Sequence, residues 1–265
     1  MTAWKPGSLS GRGTMEVCPA PHIHLLTISF VETSMEFATW EPVYEAILRE
    51  FGYDRVADER ARDRLFDLTA PFEADHAPRV DGRSVVVAGA GPSLTEATSL
   101  ELARAGEICI AASVAADRLE ENDVSIDWVV TDLDKHPESI SRFVERGTPV
   151  AIHAHGDNRR AIESVVPSLP EGSILPTTQA EPRGHVVNTG GFTDGDRAAF
   201  LADSLGAASL TFVGWDFDDA ESEEKARKLE WAARLLYWLE RRRDERFDVL
   251  DGRRGSIETD FLPVD

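Results

Sequence analysis

The chain has 265 residues, enough for one large domain with an appendage, and carries 48 Asp plus Glu against 28 Lys plus Arg, a formal net charge of −20. So acidic a surface argues against nucleic acid or an anionic membrane as a partner: both call for a basic patch, and the longest basic run is Arg241–Arg243. Only Lys5, Lys135, Lys225 and Lys228 are lysines, a composition similar to that of salt-in halophile proteins, where concentrated salt screens the repulsion between carboxylates.

Two cysteines, Cys18 and Cys109, exclude a disulfide framework or a cysteine-based zinc site, and Cys109 within Ile108–Ala111 reads as a small buried hydrophobe. No apolar run approaches the ~20 residues of a membrane-spanning helix, so a cytoplasmic location is expected. Residues 1–34 show no sustained period and read as a disordered extension, with Met35 as an alternative start; His22 and His24 there have no further ligands and read as solvent-exposed. From Glu41 the pattern is helical, with Val43, Tyr44, Ile47, Leu48 and Phe51 on one face and Gly52 as the stop. A second helix places Ala57, Ala61, Leu65 and Leu68 in phase before Pro71. Residues 35–80 therefore read as a helical lead-in packed on a main domain over 81–250, with a tail over 251–265.

From Ser84 onward short β-branched runs alternate with helical stretches, which predicts an α/β, Rossmann-like fold with a mostly parallel sheet. The expected strands are Ser84–Ala88, Glu107–Ala111, Trp128–Thr131, Pro149–His153, Ser173–Leu175 and Leu210–Val213. In such sheets ligands bind beyond the carboxyl ends of the strands, so the loops there are the candidates.

Five loops qualify. In Gly89–Leu94, GAGPSL, Gly89 and Gly91 allow close backbone approach, and Ser93 or Thr95 is positioned to cap the next helix so that its amides meet a phosphate. The loop lacks the third glycine of a dinucleotide fingerprint and the Gly-Lys-Ser/Thr of a P-loop. In WVVTDLD, Asp132 and Asp134 stand two residues apart at a strand end, which reads either as a divalent-cation site or as an acidic turn. In HAHGDN, His153 and His155 alternate onto one side, suited to substrate or phosphate contact more than to zinc, with structural hydrogen bonding as the near alternative. In NTGGFTDGDR, Gly190 and Gly191 permit tight backbone geometry, Thr193 or Asp194 is the helix cap, and Asp196 and Arg197 fall in the first turn, Arg197 with bidentate capacity for phosphate. In Gly214–Asp218, GWDFD, Asp216 either reaches the same rim or makes an acidic turn. Trp231 and Trp238, in the last helix, read as core.

In this order, GxGPSL, TDLD, HAHGDN and NxGGFTDGDR resemble the archaeal 6-hydroxymethyl-7,8-dihydropterin pyrophosphokinases over most of residues 40–250, with a core similar to that of thiamine pyrophosphokinase. The resemblance implies transfer of a diphosphate from ATP to the hydroxymethyl oxygen of a reduced pterin, with Mg²⁺ and release of AMP, on the route to folate-type or methanopterin coenzymes. It matches the thiamine pyrophosphokinase metal and phosphate elements to Asp132, Asp134, Thr193 and Asp194. The chemistry needs charge neutralisation and alignment, and the residues offer both. Asp132 and Asp134 are then Mg²⁺ ligands, with Asp194 and Asp196 as further metal or substrate contacts; Gly89, Gly91, Ser93 and Arg197 meet phosphate. His153, His155, Asp157 and Asn158 line the nucleotide or pterin pocket, Gly190, Gly191 and Thr193 shape it, and Gln179 and Asn188 read a pterin edge. A nucleotide-sugar-dependent transferase sharing the GxGPSL loop and a non-catalytic nucleotide-binding module are the alternatives. A homodimer is considered as the assembly.

Overall fold

The computed structural model describes residues 1–2, 35–73 and 77–264. The extension expected over 1–34, with Cys18, His22 and His24, lies outside the described residues apart from its first two. Two helices, α1 (Phe37–Phe51) and α2 (Arg55–Leu68), precede an alternation of strands and helices: β1 (Ser84–Ala88), α3 (Ala97–Ala105), β2 (Ile108–Ala112), α4 (Ala115–Glu121), β3 (Trp128–Thr131), α5 (Pro137–Glu145) and β4 (Val150–Ala154). Then follow α6 (Arg159–Val165), β5 (Ile174–Thr178), α7 (Asp194–Ser204), β6 (Ser209–Val213) and α8 (Glu223–Arg243). The six strands form one sheet in the order β5-β4-β3-β2-β1-β6, every neighbouring pair parallel. This is the Rossmann-like α/β arrangement that the alternation predicts.

The chain steps outward from β1 to β5 and then returns to lay β6 on the other side of β1. The order reverses between β1 and β6, and that reversal opens a crevice at the carboxyl ends of the strands. Alternate residues serve the two faces, as a period of two requires: Val85, Val87, Ile108 and Ile110 join one core, Val86, Ala88, Cys109 and Ala111 the other. The first core also takes Trp40, Val43, Tyr44 and Ile47 of α1 with the buried faces of α7 and α8. The second takes Ala61 and Leu65 of α2 with residues of α3 to α6. The two lead-in helices thus lie on opposite sides of the sheet. Gly52 ends α1 at φ +71°, and the Asp54 carboxylate caps α2 by accepting from Val56 N at 3.0 Å.

Two local expectations change. β5 continues through Pro176 to Thr178, paired with Ile152–Ala154, because it is an edge strand and a proline there costs no ladder donor. After β1, Pro92–Thr95 forms a 3₁₀ turn and α3 starts only at Ala97, with Glu96 at its N-cap making no side-chain capping bond. Ser93 and Thr95 therefore do not cap α3, and its amides stand one turn back from the β1 loop.

Candidate active site

A cavity of about 550 Å³ opens at the carboxyl end of the sheet, lined by the loops that follow the strands and by the first turns of α7 and α8. Its acidic floor comes from two places in the chain. The first is the turn after β3. The strand stops at Thr131, whose Oγ1 accepts from Leu133 N at 3.0 Å; Leu133 takes a left-handed φ of +66°; and Asp132 Oδ1 accepts from Asp134 N at 3.1 Å. The second is α7, which packs across β1, β2 and β3 and so carries its first residue, Asp194, to the end of β3. Oxygens of Asp132, Asp134 and Asp194 lie within 4.8 Å of one another. TDLD is an Asx-type turn, and that turn brings both of its carboxylates into one cluster with Asp194.

Two side chains organise this cluster. Arg197, one turn into α7 and almost wholly buried, donates from Nη1 to Asp194 Oδ1 at 3.0 Å and lies 3.7 Å from Asp132 Oδ2. Its Nη2 donates to Gln179 Oε1 at 3.3 Å. His155 Nε2 sits 3.3 Å from Asp132 Oδ2. Burial works to raise Asp132, but the His155 hydrogen bond and the Arg197 charge prevail and hold its carboxyl well below the usual carboxylate range. Asp194 moves the other way: burial first, then the Asp132 charge, raise it well above that range despite Arg197. Asp134 is also raised, by burial and by Asp132. Three hard oxygen donors, with two of the carboxyls holding protons more tightly than usual, are a donor set that a divalent cation relieves.

The neighbouring Asp196 has a different role. It is fully buried, and its carboxylate accepts from Phe192 N, from Thr193 N at 3.0 Å and from Thr193 Oγ1 at 2.7 Å. These bonds close the N-terminal turn of α7, so Asp196 is a cap residue outside the carboxylate cluster rather than one of its ligands. Gly190 and Gly191, at φ +90° and +97°, lead into that turn; a Cβ on Gly191 would stand 2.6 Å from Arg197 Cα, so the loop must be bare to let Arg197 enter.

Several expected contact residues hold the wall from behind. His153 is fully enclosed, with Nδ1 3.1 Å from Thr177 Oγ1, and burial followed by the Arg197 and His155 charges lowers its pKa, leaving a neutral ring. Its ring centroid is 6.4 Å from that of His155, yet only His155 lines the cavity. Asn158 donates to the Asp132 and His153 carbonyls at 2.7 and 2.6 Å and accepts from His155 N at 3.0 Å. Asn188, also fully buried, donates to the Gln179 and Ala180 carbonyls at 3.0 and 2.9 Å. Its amide is spent on the loop, not on the cavity. Gln179 lines the cavity, but its amide is engaged at both ends, by Arg197 and by Asp58 of α2 (Nε2 to Oδ2, 2.8 Å). Asp58 is itself buried and also accepts from Tyr44 Oη at 2.8 Å and Gly156 N at 2.7 Å, which ties the lead-in helices to the site. Asp157 lines the cavity and is exposed.

At the opposite corner Gly89 and Gly91 line the cavity, while Ser93 donates from both N (3.0 Å) and Oγ (2.8 Å) to the Asp216 carboxylate. A Cβ on Gly91 would collide with that same carboxylate. Ser93 is thus used in locking the β1 loop to the β6 loop, and its hydroxyl is not turned to the cavity. Trp215 and Phe217 of the β6 loop, with Tyr53 and Phe192, supply an apolar aromatic side to the cavity. Lys135, Lys225 and Lys228 line it as well. None of the loop motifs contains these lysines; their rarity in the chain is the signal that marks them.

Residues 64–222 match the family described as "6-hydroxymethylpterin diphosphokinase MptE-like". The chain belongs to this family. It is 40% identical over 238 residues to a protein of Methanothermobacter thermautotrophicus named 6-hydroxymethyl-7,8-dihydropterin pyrophosphokinase, a match that covers 81% of this chain and 99% of that protein. Proteins of the same name from Pyrococcus furiosus and Methanocaldococcus jannaschii are 38% and 32% identical, each over 77% of this chain and over 94% and 96% of their own lengths. The matched segment begins inside α2 and ends just before α8, so Asp58 and the two α8 lysines lie outside it. Among the described residues no helix is long and apolar enough to cross a membrane.

Proposed function

We propose that this protein transfers a diphosphate from ATP to the hydroxymethyl oxygen of 6-hydroxymethyl-7,8-dihydropterin and releases AMP, on the route to folate-type or methanopterin coenzymes. The observation that carries this reading is the Asp132–Asp134–Asp194 cluster, held by Arg197 and His155 at the sheet's carboxyl end. The names of the family and of its relatives support the choice of pterin and of diphosphate transfer. Asp132, Asp134 and Asp194 would hold Mg²⁺, which supplies charge neutralisation at the polyphosphate.

In the reaction the hydroxymethyl oxygen bonds to the β-phosphorus, the bond from the β-phosphorus to the α–β bridging oxygen breaks, and its electron pair leaves with AMP. The hydroxyl proton passes to solvent. Little covalent help is needed, so the protein's work is placement and electrostatics. Arg197 fixes the separation of Asp132 and Asp194 and brings a positive charge to the floor. His155 keeps Asp132 ionised and oriented. Gly89 and Gly91 let the polyphosphate approach the backbone of the β1 loop, and the aromatic side of the cavity accepts a flat heterocycle. The protein is expected to work in the cytoplasm.

The test is product chromatography after incubation with ATP, Mg²⁺ and the reduced pterin in concentrated KCl. AMP and a pterin diphosphate in equal amounts are expected. ADP as the nucleotide product, or no pterin-dependent turnover by folded protein, overturns the reading.

A further inference from the structure

Positive charge is scarce in this chain, and most of the cavity's arginine is already committed. Arg197 is bound by Asp194 and Gln179, and Arg118 donates from Nη1 to the Ala90 carbonyl at 2.6 Å. The lysines are placed differently. Of four in the sequence, three line this one cavity, on two separate elements: Lys135 directly after the Asp132–Asp134 turn, and Lys225 and Lys228 one helical turn apart in α8. Among the described residues Lys135 and Lys225 have no carboxylate within ion-pair distance, despite the chain's 48 acidic residues. Lys228 is shared with Glu224 at 2.7 Å and with the Tyr53 hydroxyl. Desolvation first, then the Lys135 and Lys228 charges, press the Lys225 ammonium below its ordinary value, against the opposing pull of Asp194 and Asp196. Three ammonium groups gathered in one cavity, two of them without an ion pair among the described residues, suit an anionic ligand.

We propose that Lys135, Lys225 and Lys228 form a polyphosphate subsite that grips the transferring diphosphate end of the nucleotide. This rests on the diphosphate-transfer reading above. Lysine suits such a subsite, because its ammonium is a compact charge on a flexible stem and can follow a phosphoryl group as it moves, where a bidentate arginine would hold it still. Two of the three come from α8, so the loops after the strands contribute only Lys135 to the group.

The experiment compares the wild-type chain with the double variant K225Q/K228Q, with K135Q and with K225R, by turnover and by calorimetric binding of inorganic tripolyphosphate with Mg²⁺. The expected result is a KM for ATP raised about tenfold or more in the double variant, with the pterin KM within about twofold of wild type and tripolyphosphate binding weakened in parallel. K135Q shifts both readouts in the same direction, and K225R retains most of the ATP affinity. An unchanged ATP KM, or a rise confined to the pterin KM, overturns the subsite. If the wild type binds Mg-tripolyphosphate and the double variant does not, yet no pterin-dependent AMP forms, the functional reading falls and the subsite stands. Wild-type protein that does not bind Mg-tripolyphosphate overturns the subsite itself.

Discussion

The β3–α7 corner of the cavity and its β1–β6 corner are made of the same materials, carboxylates beside glycine-rich loops, and they are in opposite electrostatic states. At β1–β6 the Asp216 carboxylate is satisfied within the protein, receiving the Ser93 amide and hydroxyl. At β3–α7 three carboxylates crowd within 4.8 Å, and the one cationic side chain deeply buried with them, Arg197, does not prevent two of them from holding protons more tightly than usual. The contrast repeats within one turn of α7: Asp196 accepts three hydrogen bonds and closes the helix, while Asp194, two residues earlier, faces Asp132 and Asp134. The Asp216 carboxylate, bonded to Ser93, shapes the β1 loop that borders the cavity, whereas the β3–α7 carboxylates are left with charge to neutralise.

Replacing Asp132 should break the contrast most completely. Asp132→Asn removes the charge that Arg197 and His155 converge on, and turnover is expected to fall roughly 10²–10³-fold, with the thermal midpoint near that of wild type; full activity would sink the metal assignment. Next in size is the pH dependence of metal binding. Asp194 and Asp134 are raised, so as pH falls they are protonated earlier than ordinary carboxylates, and a cation must displace those protons. Mg²⁺ affinity should therefore rise with pH, by up to about tenfold per unit where one proton is displaced. Calorimetry in buffers of different ionisation enthalpy would detect the released proton, and a pH-independent affinity would contradict the sign.

Smaller effects are expected where the bonding is complete. Asp196→Asn leaves donors on buried Phe192 and half-buried Thr193 without their charged acceptor and should cost roughly 2 kcal/mol of stability, read as a lower thermal midpoint. Any change in Mg²⁺ affinity should follow only from lost folding. Asp216→Asn is the mildest: the amide keeps one acceptor oxygen for Ser93, so a loss of about 1 kcal/mol is expected, with metal binding unchanged. A large drop in Mg²⁺ affinity from either substitution would erase the distinction between the two corners.

How much of this was legible beforehand differs by residue. The TDLD pair was readable because an apolar run ending in two carboxylates is a local pattern, and Thr193 as a cap was readable from its place before a helix. Ser93 and Asn188 were not, because the Asp216 carboxylate and the Gln179 and Ala180 carbonyls that occupy them arrive from other segments of the chain. Asp58 escaped altogether, since an aspartate in an amphipathic helix looks solvated until Tyr44, Gly156 and Gln179 are seen to converge on it.

By itself the sequence determined the alternation of strands and helices, the loops at the strand ends and which of them carry carboxylates, because hydrophobic period and turn chemistry act over a few residues. Only the tertiary structure decided which polar groups were already spent. The return of the chain to place β6 beside β1, and the passage of α7 over β1 to β3, set Asp216 against Ser93 and Asp194 against Asp132. Burial then made one contact a finished hydrogen bond and the other a concentration of like charge, and no local pattern carries that difference, since it depends on what the rest of the fold brings within a few ångströms.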